Sequence, residues 1–295
     1  MKEKSKLLFS AVFLTPATLI FMVLIVIPVV MTVWYSLCKW SGAGALKFIG
    51  LYNFFEMLGD RNYKTTVLNS ITLMVIALVI QLTFGLGAAF AVSRIKRLYK
   101  FFRSVYFLPS VISTVAIGTL FVVFFNADIG PFNIFLRAIG LGPFIKDQSW
   151  LGNPKTALYF VAIPQVWQYM GQQFIIFLAA IQSLPEDMFE SARIDGANSL
   201  TMFFRIALPN LKDIIEVVVI LIITGCMKSF DHSWIMTWGG PGYSSSYMAV
   251  LMYKEVFKNS DFGYGSAIAV SILLISLLLV ILFRTGTTII RRNEN

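Results

Sequence analysis

The chain has 295 residues, of which 57% are hydrophobic and 13% charged. Soluble domains carry about 25% charged residues, so a water-soluble globular protein is excluded. The net charge of +9 does not point to nucleic acid, because the basic residues stand in short clusters between apolar runs. Anionic headgroups and membrane orientation account for that pattern. Cys38 and Cys226 fit no metal or redox spacing and read as small apolar fillers.

A helix rising 1.5 Å per residue needs about 20 apolar residues to cross a hydrocarbon core of about 30 Å. Six segments meet this requirement, at approximately 16–37, 67–92, 104–126, 156–182, 214–236 and 264–284. Lys2, Lys4 and Lys6 before the first run imitate a secretory leader. The uncharged stretch from Leu7 to Cys38 is too long for one and closes on no cleavage site, so it reads as a retained first span. Thr15 and Pro16 suit its cap and first helical position. The fifth segment is interrupted by charge: Glu216 and Lys228 bracket its apolar centre, and Asp231 follows. It is retained as a span because its loss would put the chain ends on opposite sides.

With six spans, Arg94, Lys96, Arg97, Lys100 and Arg103 share one side with the N-terminal lysines and with Arg284, Arg291 and Arg292. The positive-inside rule makes that side cytoplasmic. The expected fold is all-α: a single transmembrane domain over 1–295, in the lipid bilayer, with both termini cytoplasmic. No phosphate-binding loop of the form Gly-x-x-x-x-Gly-Lys-Ser/Thr occurs, so ATP binding and hydrolysis by this chain are not expected. The cluster Gly239-Gly240-Pro241-Gly242 reads as a turn.

The segment 183–213 is too polar to span. Ser183, Pro185 and Glu186 resemble a helix start with a capping box. A first helix is expected over about 186–195, ending near Gly196 with positive φ. A second is expected over about 199–207, ending before Pro209. Two short helices with a glycine hinge would form a stiff polar knob; an ordinary interfacial helix pair is the other reading.

Glu190-Ser191-Ala192, then Gly196, then Ile206-Ala207-Leu208-Pro209 resembles the EAA motif of binding-protein-dependent ABC import permeases. Arg193-Ile194-Asp195-Gly196-Ala197 is similar to the sugar-permease branch, of maltose, multiple-sugar and glycerol-phosphate type. Asn53-Phe54, Leu108-Pro109, Gly130-Pro131-Phe132-Asn133 and Phe230-Asp231 resemble further family segments in the same order, with Trp238 where Gly is more usual. The resemblance implies an inner-membrane permease with no cofactor of its own, paired with a second, homologous permease. It implies two ATPase subunits carrying ATP and Mg, an extracytoplasmic solute-binding protein, and 183–213 as the ATPase-coupling loop. Glu190, Ser191, Ala192, Asp195, Gly196, Ile206, Leu208 and Pro209 are its candidate coupling residues.

Polar groups within spans are costly and therefore candidates for a solute path. Asn69 and Gln81 lie in the second span. Gln165, Trp167, Gln168, Tyr169, Gln172 and Gln173 lie in the fourth. Amides suit sugar hydroxyls and rings suit sugar C–H faces, although such groups also bridge helices. Lys228 and Asp231, three residues apart, are expected on one helical face. His232 beside them reads as a solvated interfacial residue. An ion-coupled secondary carrier is the other function class, but it would show inverted repeats and midplane acids. An enzyme would need a nucleophile, base or metal cluster that the chain does not display.

Overall fold

The computed structural model describes residues 13–95, 97, 99–142 and 149–294. Lys2, Lys4, Lys6 and Lys96 lie outside the described residues. The described residues are mostly helical, with almost no strand. In order it forms α1 (Phe13–Ser36), a two-stranded ribbon of β1 (Cys38–Lys39) and β2 (Lys47–Phe48), α2 (Tyr52–Gly59) and α3 (Arg61–Ser93). Then come α4 (Tyr99–Val111), α5 (Thr114–Phe124), α6 (Pro131–Ala138) and α7 (Ala157–Gln182). They are followed by α8 (Glu186–Ile194), α9 (Ser199–Met202), α10 (Lys212–Met227), α11 (Asp231–Thr237), α12 (Met248–Phe257) and α13 (Phe262–Glu294).

Among the described residues, three helices are long and apolar enough to cross a membrane: α1, α3 and α13 within Phe262–Ile289. The pair α4–α5 adds a fourth if it is one span, bent by 90°. Six spans are therefore not reached by length and composition. Helix α7 has 26 residues, but five glutamines dilute its apolar character. The expected fifth span is split. Helix α10 stops at Met227 after 16 residues, and α11 starts afresh at Asp231. Lys228 and Asp231 flank the break instead of sharing one helix face, and no ion pair among the described residues joins them.

The helices differ from the sequence expectation in other local ways. Helix α1 is already formed at Phe13, so Thr15 and Pro16 lie inside it. A π turn at Met22–Val26 precedes Pro28, where the missing proline N–H interrupts the regular ladder. Pro109 similarly weakens the end of α4, just before the bend.

The chain divides into two compact units. One contains residues up to Asp60 and Leu251–Leu273. Here the ribbon pairs Cys38 with Phe48 and Lys39 with Lys47, antiparallel. Asn53, buried on α2, donates from Nδ2 to the carbonyls of Ser36 (2.8 Å) and Cys38 (3.0 Å). The Phe262 and Gly263 amides donate to the Trp40 carbonyl, and the Tyr264 hydroxyl donates to Asp60 Oδ2 at 2.8 Å.

The other unit contains Arg61–Val250 and Leu274–Asn295. Its centre is α7, which packs against α3, α4, α10 and α11. Apolar transfer from water cannot drive such packing in lipid, so close fit and hydrogen bonds must do so. Small residues permit that fit. Gly85 of α3 faces Phe174 and Phe177, and Gly118 of α5 faces Ile235 of α11. Gly171 of α7 lies against the backbone of α4: a Cβ there would sit 2.5 Å from the Tyr106 carbonyl oxygen and 3.2 Å from Phe107 Cα.

Gly171→Val should therefore overpack the α4–α7 contact by about 1–3 kcal/mol and lower the thermal unfolding midpoint of the detergent-purified protein by about 2–10 °C. Gly87→Ala is the control, since its Cβ would meet nothing within 4 Å. A Gly171→Val midpoint equal to that of the control would contradict the contact.

Candidate functional site

The second unit holds a cavity of about 420 Å³. Leu73, Ala77 and Gln81 of α3 form one wall, and Gln165, Tyr169, Gln172 and Gln173 of α7 form another. The third wall is the end of α10 with the α10–α11 break, including Cys226, Lys228, Ser229, Asp231 and His232. Of the sequence candidates, Gln81, Tyr169, Gln172, Lys228 and Asp231 meet in this one space. Asn69 and Trp167 do not line it. Trp167 points into a separate, apolar groove with Ile76, Ile80 and Met170, and its ring centroid is 5.9 Å from that of Phe121.

Several buried amides in and near the cavity have structural partners for their N–H groups, while the Oε1 atoms of Gln165, Gln168 and Gln173 have no hydrogen-bond partner. Gln168 Nε2 donates to the Ile112 carbonyl at the α4–α5 bend (2.9 Å). Gln81 Nε2 donates to the Val166 carbonyl (3.2 Å), and Gln165 donates to the Ser229 hydroxyl at the α10–α11 break. Asn69 Nδ2 lies within 3.0–3.1 Å of the carbonyls of Tyr243, Ser244 and Ser246, bracing the loop before α12. Gln172, by contrast, is exposed and directed at the cavity. His232 is buried to 1% exposure, which corrects the expectation of a solvated residue. Its ring lies 6.3 Å from that of Tyr169, and its Nε2 has no hydrogen-bond partner.

The segment after α7 forms the knob. Helix α8 runs over Glu186–Ile194 with Glu186 and Asp187 in its first turn, where carboxylates favour the helix dipole. The expected capping box is absent. Pro185 is the cap residue, and the Ser183 hydroxyl donates back to the Ala180 carbonyl. Gly196 adopts φ +78°, as expected of a left-handed cap. Asn198 then caps α9, its Oδ1 accepting from the Thr201 amide at 2.8 Å. The second helix does not stop before Pro209. A π turn at Phe203–Ala207 leads into Leu208–Asn210, where Pro209 begins a new turn and needs no N–H partner.

Glu190, Ser191, Asp195 and Pro209 are exposed, while Ala192, Ile206 and Leu208 are half-buried. Two residues that sequence reasoning passed over hold the knob. Phe189 is buried to 4% exposure. The Arg94 guanidinium carbon lies 3.9 Å from its ring centroid. Burial pushes the Arg94 pKa down, the Arg193 charge adds to this, and Glu186 opposes it. In sequence Arg94 was visible only as one charge of an orientation cluster.

Membrane-length apolar helices, a cavity lined by both polar and apolar side chains, and an exposed two-helix segment after α7 are features that suit a membrane transport subunit. The chain belongs to the family of binding-protein-dependent transport system inner membrane components, whose description matches residues 81–293. It is 36% identical over 281 residues to the probable ABC transporter permease protein YurN of Bacillus subtilis, covering 93% of this chain and 95% of that one. It is 30% identical over 273 residues to SmoG, the sulfoquinovosyl glycerol transport system permease protein of Agrobacterium fabrum, covering 92% and 87%. Its fold matches a subunit of a bacterial ABC transporter involved in alginate import with a TM-score of 0.83 and 20% identity, over 97% and 96% of the two chains. The chain is an integral membrane permease of an ATP-driven importer, a transport component and not an enzyme.

Asn69→Leu removes the amide that braces the 239–247 loop. At about 1–3 kcal/mol for orphaned carbonyls, amide hydrogen exchange in that loop should accelerate about five- to hundredfold. Unchanged exchange would show that the loop holds its shape without Asn69.

Proposed function

We propose that the chain forms half of the translocation path for a sugar or sugar-like solute, and that the 183–213 knob couples this path to ATP hydrolysis on a partner. The observation that carries the reading is the knob's surface. Ile194 is 87% exposed, Leu200 68% and Phe204 59%, beside the exposed carboxylates of Glu190 and Asp195. Large apolar groups rimmed by charge suit a protein partner. In this reading the partner is one of two ATP-binding cassette subunits, which hold ATP and Mg. A second, homologous permease completes the path, and an extracytoplasmic binding protein delivers the solute.

The proposed topology has six crossings and cytoplasmic termini. Helix α7 and the α10–α11 pair cross despite their polarity, because Gln165, Gln168 and Gln173 are buried in protein and not turned to lipid. Arg291 near the C-terminus pairs with Asp213 (2.6 Å) and Glu216 (2.8 Å) at the knob's exit, so these two features share one end of their unit.

For the solute, the cavity volume falls within the range of about 300–1,000 Å³ usual for small-molecule sites. Gln172, Tyr169 and the Lys228 and Asp231 charges offer donors and acceptors for a polyhydroxylated molecule. The carbohydrate-linked name of the SmoG relative supports the same class. Gln172→Ala should raise the solute concentration for half-maximal uptake a few-fold to about tenfold, by loss of one hydrogen bond. Trp167→Ala should not, since that ring faces elsewhere. Equal effects from both would argue against this cavity as the path.

Gly196→Val and Glu190→Lys test the coupling role. A Cβ at Gly196 would meet nothing within 4 Å, so the valine acts only through strain at φ +78°. Both variants should insert in the membrane, weaken ATPase co-purification, and lose solute-stimulated hydrolysis together with uptake. Normal co-purification and normal stimulated hydrolysis in both would remove the coupling role from 183–213.

A further inference from the structure

Helices α3, α7 and α10 supply most of the cavity wall, with the start of α11 adding Asp231 and His232. Two of them continue directly into the knob. Helix α7 leads through Ser183–Pro185 into α8, and the knob leaves through Leu211 into α10. Helix α3 has no such connection, yet its end is fastened to the knob by side chains. Phe90 and Arg94 stand one turn apart. Arg94 lies with its guanidinium carbon 5.0 Å from the Phe90 ring centroid and 3.9 Å from that of Phe189 on α8. The Phe90 ring also meets Phe203 edge-on at 5.1 Å, in the second half of the knob. Phe90 and Phe189 are both buried.

We infer that Arg94 is a positioning residue that joins α3 to the knob through the Phe189 ring, so that all three cavity walls follow the knob when it moves. This inference rests on the coupling role proposed above. Arg94 Nε and Nη2 are covered and have no hydrogen-bond partner. No ion pair among the described residues joins it to a carboxylate, so its attachment is to ring faces, and a half-buried cation beside aromatic rings is attracted to their negative faces. Such a joint transmits displacement without fixing one hydrogen-bond geometry. Gln81 lies 13 residues back along the same helix, about 20 Å at 1.5 Å per residue. A stiff helix carries an end displacement over that distance to the cavity wall. With the joint cut, α7 and α10 would still follow the knob directly while α3 would follow only through its packing on them and the Phe90–Phe203 contact, and hydrolysis would proceed with a smaller matching change in the cavity.

The test uses the full complex with its ATPase and binding protein in proteoliposomes. It reads ATP hydrolysed per solute imported, a ratio that a purely structural residue would leave constant in whatever complex assembles. Arg94→Gln and Phe189→Leu should retain the ATPase and raise this ratio about three- to tenfold. Arg94→Lys and Phe189→Tyr, which keep a cation and a ring, should return it towards wild type. An unchanged ratio in Arg94→Gln and Phe189→Leu would overturn the inference. So would equal defects in Phe189→Leu and Phe189→Tyr, or failure of Arg94→Gln and Phe189→Leu to assemble with the ATPase at all. If Gly196→Val and Glu190→Lys uncouple while Arg94→Gln does not, the joint falls and the coupling loop stands. If all four variants remain coupled, the coupling loop falls as well.

Discussion

The membrane helices of this unit are broken at the α4–α5 bend and between α10 and α11, and each break frees backbone groups that lipid cannot satisfy. Side-chain amides on α3 and α7 resolve this constraint. Gln168 takes up the Ile112 carbonyl at the 90° bend between α4 and α5. Gln165 reaches Ser229 where α10 gives way to α11. Asn69 gathers three loop carbonyls before α12. The amides that sequence reasoning marked as a solute path are thus in large part the groups that let the path exist. Gln172, exposed to the cavity, and Gln81, which both bridges helices and lines the wall, are where structure and solute handling meet.

The knob depends on the same economy of local chemistry. Gly196 reverses the chain at positive φ, Asn198 restarts it with a side-chain cap, and a π turn carries it past Pro209 into α10. The result is a short element of helical turns between two cavity helices, with Arg94 of the α3 end against its Phe189 ring. On the proposed coupling, motion at the knob and a change in cavity shape would be one mechanical event, without a long relay of side chains.

Much of this was legible in the sequence. Apolar run length located α1 and α7 to within three residues and found α3 and α13, whose helices run six and ten residues beyond the expected spans, because 20-residue hydrophobicity is a strong signal for a span and a weak one for where its helix ends. Gly196 and the two-helix knob could be read from spacing. The interruptions could not be placed. Pro109 announces a weak point but not a right-angle bend, and Lys228–Asp231 looks like a helix-spaced pair, although α10 ends at Met227 and α11 begins at Asp231. Ser183 had the composition of a cap, but its hydroxyl serves the preceding helix. His232 and Trp167 failed for another reason: burial and facing depend on which helices pack together, which periodicity in a nearly uniform apolar run does not encode. Arg94 was hidden among charges that serve orientation.

The central claim is that the 183–213 knob seats on an ATPase. The most direct measurement is a photo-cross-linking amino acid at Ser191, on the exposed side of α8, irradiated in membranes that contain the partner subunits. The account predicts one dominant adduct with the ATPase, abolished when that subunit is not expressed. Labelling of lipid alone, with no ATPase adduct, would mean that the knob is an interfacial helix pair and would contradict the account.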